Sequence, residues 1–485
     1  MAENLSADAV KKRAVKGAAI LTGRNILIQG ISFFATALLT VFLAPFEFGV
    51  FFLVTAVINF LAYFGDIGFA AALIQKKEKL TNTDLKTVFS AQQILVLFIL
   101  LLIFIATPYI ADFYNFSNEA VYLLWAFAAS LLLSSLKTIP TVLMERRLEF
   151  NKWVIPQIIE VVIFNLVAVY LAYLGFGITS FTIAVLLRGI SGLIATYIIQ
   201  PWLPGISLSL NSLKSILRFG LPYQANTLLA MVKDDGMILF LGLSLGTSGV
   251  GLLGWAQKWA YAPLRFFMDQ VIKVTFPAFS RLQDKKQELS NTVSKSIFFV
   301  CLLVFPSLIF LTLAAPTLIE IIPKYHKWEP ALFALYLLSL SSALAAITTP
   351  LTNTLNAIGK ISITFKLMIM WTSLTWIFVP FLAIRFGLNG AALGFTFVGM
   401  TSFIALFIIS KYVTVDFLQS VGKPLIGAAV YGAVLLVIKS LFSASLLQII
   451  LMGVFGLISY IFIMLFLEPN LLNMIKKGFQ KVENV

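Results

Sequence analysis

One cysteine, Cys301, and one histidine, His326, in 485 residues remove whole classes of chemistry at the outset. A lone thiol allows no intramolecular disulfide and no thiolate metal cluster. A lone imidazole, set in a short loop beside Tyr325 and Trp328, lacks the partners of a zinc site or a catalytic triad and reads as an interfacial side chain. Charge is scarce as well: Asp, Glu, Lys and Arg make up 12% of the chain, about half the share usual in a soluble protein. No Walker A loop and no Ser/His/Asp set is present. The sequence points to no enzyme and to no cofactor.

What the chain has in abundance is apolar sequence. Hydrophobic residues make up 60% of it, and the mean hydropathy is +0.97. Runs of about twenty apolar residues recur from end to end, each long enough to cross a bilayer as a helix. Strands of a membrane β-barrel would instead alternate over about ten residues. The expected fold is therefore an all-α polytopic membrane protein. Fourteen spans are read, six of them before residue 201: 15–43, 47–74, 87–110, 118–143, 153–174 and 178–200. The stretch Leu213–Phe276 holds two more, joined by Gly246-Thr247-Ser248-Gly249. Six follow at 296–322, 329–356, 362–384, 388–411, 422–440 and 444–467.

The net charge of +14 invites a nucleic-acid partner, but its distribution argues against one. Of 35 Lys and Arg, only four (Lys324, Lys327, Arg385 and Lys439) fall on one set of alternating loops, and most of the others lie on the opposite set. That asymmetry is the positive-inside pattern, and it places both termini in the cytoplasm. The first span follows Lys11, Lys12, Arg13 and Lys16, contains Arg24, Asn25 and Gln29, and is too long for a signal-peptide core, so no cleavage is expected. The tail with Lys476, Lys477 and Lys481 reads as cytoplasmic.

Internal similarity divides the chain further. Phe48-Gly49-Val50 matches Ser248-Gly249-Val250 at an offset of 200, Thr138-Ile139-Pro140 matches Thr348-Thr349-Pro350 at 210, and Phe176-Gly177-Ile178 matches Phe386-Gly387-Leu388 at 210. Three matches in one order imply two pseudo-symmetric six-helix lobes around a central cavity, a layout that allows alternating access. The expected divisions are an N-lobe at 1–205, a C-lobe at 206–415, and a final helix hairpin with its basic tail at 416–485.

Charges inside apolar spans are costly and are normally aimed at a bundle interior or an aqueous cavity. The candidates for binding an anionic cargo are Arg24, Arg188, Lys233, Lys258 and Arg265, with Gln224, Asn226, Trp255 and Trp259 beside them. Lys258 and Arg265 are seven residues apart, hence on one helix face, and Pro263 between them is placed to kink the helix. Basic groups next to aromatic rings suit a sugar-phosphate ligand. Asp66, Glu160, Asp234, Asp235 and Asp269 are candidates for charge balance or for coupling to H+ or Na+. Asp234 and Asp235 point about 100° apart on a helix, so spacing gives them no common partner. The alternative is that these charges pair among themselves: Lys233 with Glu160, Arg265 with Asp269, or Arg24 with Asp66. Lys137 and Lys273 lie near span ends, where they can snorkel, and Trp153, Trp202 and Trp371 suit an interfacial belt.

Several stretches carry a family likeness: Phe64-Gly65-Asp66-Ile67-Gly68-Phe69 leading to Leu73-Ile74-Gln75, Glu145-Arg146-Arg147-Leu148-Glu149-Phe150, Phe276-Pro277-Ala278-Phe279-Ser280-Arg281-Leu282-Gln283, Asn356-Ala357-Ile358-Gly359-Lys360, and Phe386-Gly387-Leu388-Asn389-Gly390-Ala391. Through them the chain resembles bacterial flippases of O-antigen, capsule or exopolysaccharide repeat units, members of the multidrug/oligosaccharidyl-lipid/polysaccharide exporter superfamily. The resemblance implies a cationic cavity between two six-helix bundles. It implies a polyprenyl-diphosphate-linked oligosaccharide as cargo, moved from the inner to the outer leaflet of the bacterial cytoplasmic membrane, with membrane lipids and a polysaccharide polymerase as partners. Lipid II flippases share the fourteen spans, and drug/cation antiporters share the bundle but lean on an acidic site. Both remain open as alternatives. An integral-membrane glycosyltransferase would need a long outer loop, and the outer loops here are short.

Overall fold

A computed structural model of the chain describes residues 7–66, 68–76, 78 and 80–473, excepting the side chains of 7–16, 18, 19, 211, 215, 217–227 and 274. Every regular element among them is helical. Two compact units result, one ending at Gly251 and the other beginning at Leu252.

The first unit contains α1 (Ala7–Phe42), α2 (Pro45–Ala62), the short α3 (Phe69–Gln75), α4 (Asn82–Phe113), α5 (Asn118–Leu136), α6 (Thr138–Arg146), α7 (Phe150–Tyr173), α8 (Ile178–Ile199) and the opening part of α9 (Leu210–Arg281). Local chemistry sets many of the ends. The Thr81 hydroxyl accepts from the Asp84 amide at 3.1 Å, and the Asp84 carboxylate accepts from the Thr81 amide at 3.0 Å, which closes a reciprocal cap on α4. Lys76 Nζ lies 2.9 Å from the same carboxylate. Ser117 caps α5 through the Ala120 amide at 3.4 Å. The connector from 201 to 209 runs without helix along the start of α4: the Ser207 and Ser209 amides donate to Ser90 Oγ and Thr87 Oγ1 at 3.1 and 3.2 Å. Beneath it Phe69, Leu73, Val88, Ile139 and Ile216 form a closed core.

The second unit contains the rest of α9, then α10 (Lys286–Ile321), α11 (Leu332–Ala357), α12 (Ile361–Met400), α13 (Ser402–Ile409), α14 (Lys423–Leu441) and α15 (Leu446–Leu467). Its core runs through α10, α11, α14 and α15 and includes Cys301, fully buried at 0% exposure. The last hairpin is tied at both ends. Gln448 Nε2 donates to the Lys439 and Phe442 carbonyls across the turn at 3.1 and 2.6 Å, and Lys423 pairs with Glu468 at 2.6 Å where α14 begins and α15 ends.

Twelve helical runs among the described residues are long and apolar enough to cross a membrane. Two of them, Leu228–Arg281 and Ile361–Ile409, have 54 and 49 residues, which as unbroken helix would reach ~80 and ~74 Å against a hydrocarbon core of ~30 Å. Each contains one glycine at positive φ, Gly246 at 68° and Gly387 at 59°, a backbone state that a side chain disfavours. These are the two places where the sequence puts a turn, so the difference between fourteen expected spans and twelve helical runs lies there. Gly49 and Gly251 supply a second kind of constraint. A Cβ on Gly49 would meet the Thr247 carbonyl, and one on Gly251 would meet the Pro45 carbonyl, so the first turns of α2 and the helix restarting after Gly246 cross backbone to backbone.

Two expectations are corrected. The span read as 47–74 is interrupted: α2 and a 3-10 turn end at Gly65, and α3 restarts at Phe69. Asp66 explains the break, because its carboxylate accepts from the Phe69 and Ala70 amides at 2.9 and 3.4 Å and caps the new helix. The span read as 118–143 divides at Lys137 into α5 and α6. Helical backbone continues through Pro263, and the one non-helical residue of α9 is Gly246. Ile67, Lys77, Lys79 and the tail lysines 476, 477 and 481 lie outside the described residues. Around both units the surface is strongly apolar, with Phe104, Ile198 and Phe462 each about two-thirds exposed or more. A hydrocarbon surround accounts for such a surface.

Candidate functional site

One face of α7 organises the charges of the first unit. Trp153, Gln157 and Glu160 follow at i, i+4 and i+7 and therefore stand above one another. Arg24 of α1 reaches the upper part of that face: its guanidinium donates to Gln157 and to Asn25 and lies 5.6 Å from the centroid of the Trp153 ring. It has no carboxylate partner among the described residues, so its positive charge is held by dipoles and an aromatic face and is not neutralised. The expected alternative, a pair with Asp66, is not formed, since Asp66 is engaged as the cap of α3.

Glu160, 8% exposed, lies farther along the same face. Lys137 donates to its Oε1, and Arg188 Nε stands 3.8 Å from its Oε2. An unpaired carboxylate at that depth would be expensive, and two cations more than balance it. The approach requires Gly192 on α8, because a Cβ there would occupy the position of the carboxylate. Arg188 is itself half exposed and lies 5.9 Å from the Phe164 ring centroid, so donors of its five N–H groups stay free for a ligand. The pairing read from sequence between Lys233 and Glu160 is replaced by Lys137, which the sequence reading treated as a snorkelling side chain.

Lys233, Asp234 and Asp235 sit together on α9. Lys233 Nζ lies 3.4 Å from Asp234, which is largely exposed, while Asp235 accepts a hydrogen bond from Asn59 of α2 at 3.2 Å. The two neighbouring acids thus have different partners, as their angular separation requires. The side chains of Gln224 and Asn226 lie outside the described residues.

The second unit presents a different picture. Lys258 and Arg265 are both exposed on α9, two turns apart on one face, and neither has an ion-pair partner among the described residues. The i, i+4 pair of Arg265 with Asp269 is not formed, although Asp269 makes another interaction. Trp255 is 7% exposed and stacks on Trp328 with centroids 5.3 Å apart and planes at 16°. Its face is therefore filled by protein rather than open to a sugar, while Trp259 next to it is half-buried. Trp328, read from sequence as part of a short loop, is wholly buried in the 3-10 turn Pro323–Ala331.

Sequence reasoning missed Gln157, Asn59 and the role of Lys137. The first had a signal available, the i, i+4, i+7 alignment with Trp153 and Glu160. The other two pair across helices and leave no local trace. Among the described residues no three His, Cys, Asp or Glu are grouped to hold a metal ion.

The chain is 24% identical over 453 residues to the succinoglycan biosynthesis transport protein ExoT of Rhizobium meliloti, covering 91% of each chain. It is 23% identical over 394 residues to the lipopolysaccharide biosynthesis protein WzxC of Escherichia coli, covering 80% of this chain and 79% of that one. In fold it matches the inward closed conformation of the lipid II flippase MurJ with a TM-score of 0.74 at 16% identity, over 92% of this chain and 100% of that one. The sequence model of the family described as polysaccharide biosynthesis protein matches residues 38–332, more than half of the length, and the chain belongs to that family.

Proposed function

We propose that the chain is a flippase that carries a polyprenyl-diphosphate-linked oligosaccharide from the cytoplasmic to the outer leaflet by alternating access, for the synthesis of a cell-surface polysaccharide. The observation that carries this reading is the set of cations without carboxylate partners among the described residues: Arg24, Lys258 and Arg265. A charge left unneutralised on a helix that crosses the membrane calls for a ligand of opposite sign. A diphosphate supplies that charge in a form that guanidinium groups bind through paired hydrogen bonds. Arg188 and Lys233, each sharing a carboxylate, would contribute less.

The topology that goes with this reading has fourteen crossings in the bacterial cytoplasmic membrane, both termini cytoplasmic, two six-helix lobes and a closing hairpin. Coupling to H+ or Na+ would fall to Asp235, whose carboxylate accepts from the neutral amide of Asn59, more readily than to Glu160 or Asp66, which are engaged. A drug/cation antiporter would instead be led by free carboxylates. Lipid II is the second reading of the cargo, since it carries the same polyprenyl diphosphate. A polysaccharide polymerase would take up the product.

The test is complementation of a deletion strain. Arg24→Gln, Lys258→Gln and Arg265→Gln, made singly, should each abolish or sharply reduce surface polymer and accumulate the lipid-linked intermediate, with normal amounts of protein in the membrane. Full polymer in all three strains would overturn the assignment. Rescue of lipid II translocation in a strain lacking its own flippase would move the cargo to peptidoglycan synthesis.

A further inference from the structure

A groove of about 630 Å³ lies within the second unit, away from the charges discussed above. Its floor is one face of α10 from Phe305 to Pro316, and its walls are α11 and α14. That volume lies in the range of small-molecule sites, but the shape is that of a trough. Eleven residues of α10 separate its ends, ~16 Å along the helix, which is about half of a ~30 Å hydrocarbon core. The trough is therefore about one leaflet deep.

Its chemistry is graded along that length. Gly432 of α14 faces Ile309 of α10, and seven residues further on each helix Lys439 and Pro316 reach one level. Tyr336 and Ser339, from the first turns of α11, belong to the same end. The opposite end is made by Phe305, Val421 and Leu425. There the hairpin is fastened to α10 by the Tyr460 hydroxyl, which donates to the Leu302 carbonyl at 2.8 Å. Two polar groups at the first end lack partners among the described residues. Lys439 is half-buried and makes no ion pair. Ser339 is 5% exposed, and its hydroxyl has no hydrogen-bond partner. A buried hydroxyl left so is destabilising unless something completes it.

We propose that this groove is a site for a resident anionic glycerophospholipid: one acyl chain fills the trough, the phosphate pairs with Lys439, and an ester carbonyl accepts from Ser339. Apolar walls one leaflet deep match an acyl chain in length. A cation at the mouth selects an anionic head, and a buried hydroxyl at the same end offers a donor to an ester carbonyl. On the topology read from the loop charges, the lipid belongs to the outer leaflet. The site joins the closing hairpin to α10 and α11 and is separate from cargo binding, so it stands whether or not the transport reading does.

The experiment is native mass spectrometry of the full-length protein in detergent, titrated with phosphatidylglycerol and, separately, with phosphatidylcholine. Wild-type protein should hold phosphatidylglycerol about fivefold better, the preference of one lysine for an anionic head. Lys439→Ala should remove the preference, and Lys439→Glu should reverse it. Ala343→Trp, which fills the trough, should weaken both adducts; if that variant does not fold, the Lys439 pair carries the test. Equal retention of the two lipids by wild type, or an unchanged preference in Lys439→Glu, would overturn the proposal. Displacement of phosphatidylglycerol by an equimolar polyprenyl phosphate would also overturn it, by assigning the groove to the cargo's tail.

Discussion

Glu160 in the first unit and the Lys258–Arg265 face in the second solve the same problem in opposite ways. Both place ionised groups within apolar helices. Around Glu160 the protein supplies two counter-charges and removes a side chain at Gly192 to bring them close. Along α9 none of the described residues supplies one to Lys258 or Arg265, and both are accessible. Where charge is balanced internally, its removal should be felt by the fold. Where it is not, removal should be felt by whatever the protein binds. Arg24 is intermediate, since it is held by Gln157, Asn25 and Trp153 but keeps its net charge.

Substitutions can break or sharpen that contrast. Lys137→Ala should have the largest structural effect, a loss of ~3 kcal/mol, because it strands part of a buried carboxylate's balance. Thermal unfolding in detergent would record it, and a melting temperature equal to wild type would mean that Arg188 alone suffices. Gly192→Ala should follow at ~2 kcal/mol, since the new methyl displaces the Glu160 carboxylate from both cations, and the same measurement reads it. Arg24→Gln should lose ~1 kcal/mol with its hydrogen bonds while still abolishing polymer export. Lys258→Gln and Arg265→Gln should change stability least, by under ~0.5 kcal/mol, yet reduce surface polymer about as much as Arg24→Gln. A large stability loss in either would place α9 in the same class as Glu160 and remove the contrast.

Much of the fold was legible because its determinants are local. Apolar runs mark helices one at a time, and turns such as Gly175-Phe176-Gly177 and the breaks at Gly246 and Gly387 need only their own residues. The break at Asp66 was hidden by apolar residues on both sides, which extend a hydropathy run across a capped joint. The candidate site was legible in kind but not in pairing. Glu160 was singled out, but its partner Lys137 lies on a different helix and at a span end, where snorkelling is the default expectation. Trp255 looked available because Trp328, which covers it, is 73 residues away in sequence. Which charges meet is decided by how helices pack, and periodicity within one helix does not contain that.

The burial of Cys301 has a practical consequence. The chain has a single thiol, and it is closed to solvent at 0% exposure. A charged maleimide added from either side of the membrane has no native group to reach, so the wild-type sequence serves as its own blank. A thiol installed by Ala262→Cys, on the helix face between Lys258 and Arg265, would report, through labelling from one side or the other, when α9 faces the cytoplasm and when it faces outward. The transport cycle can then be followed without first removing any residue from the fold.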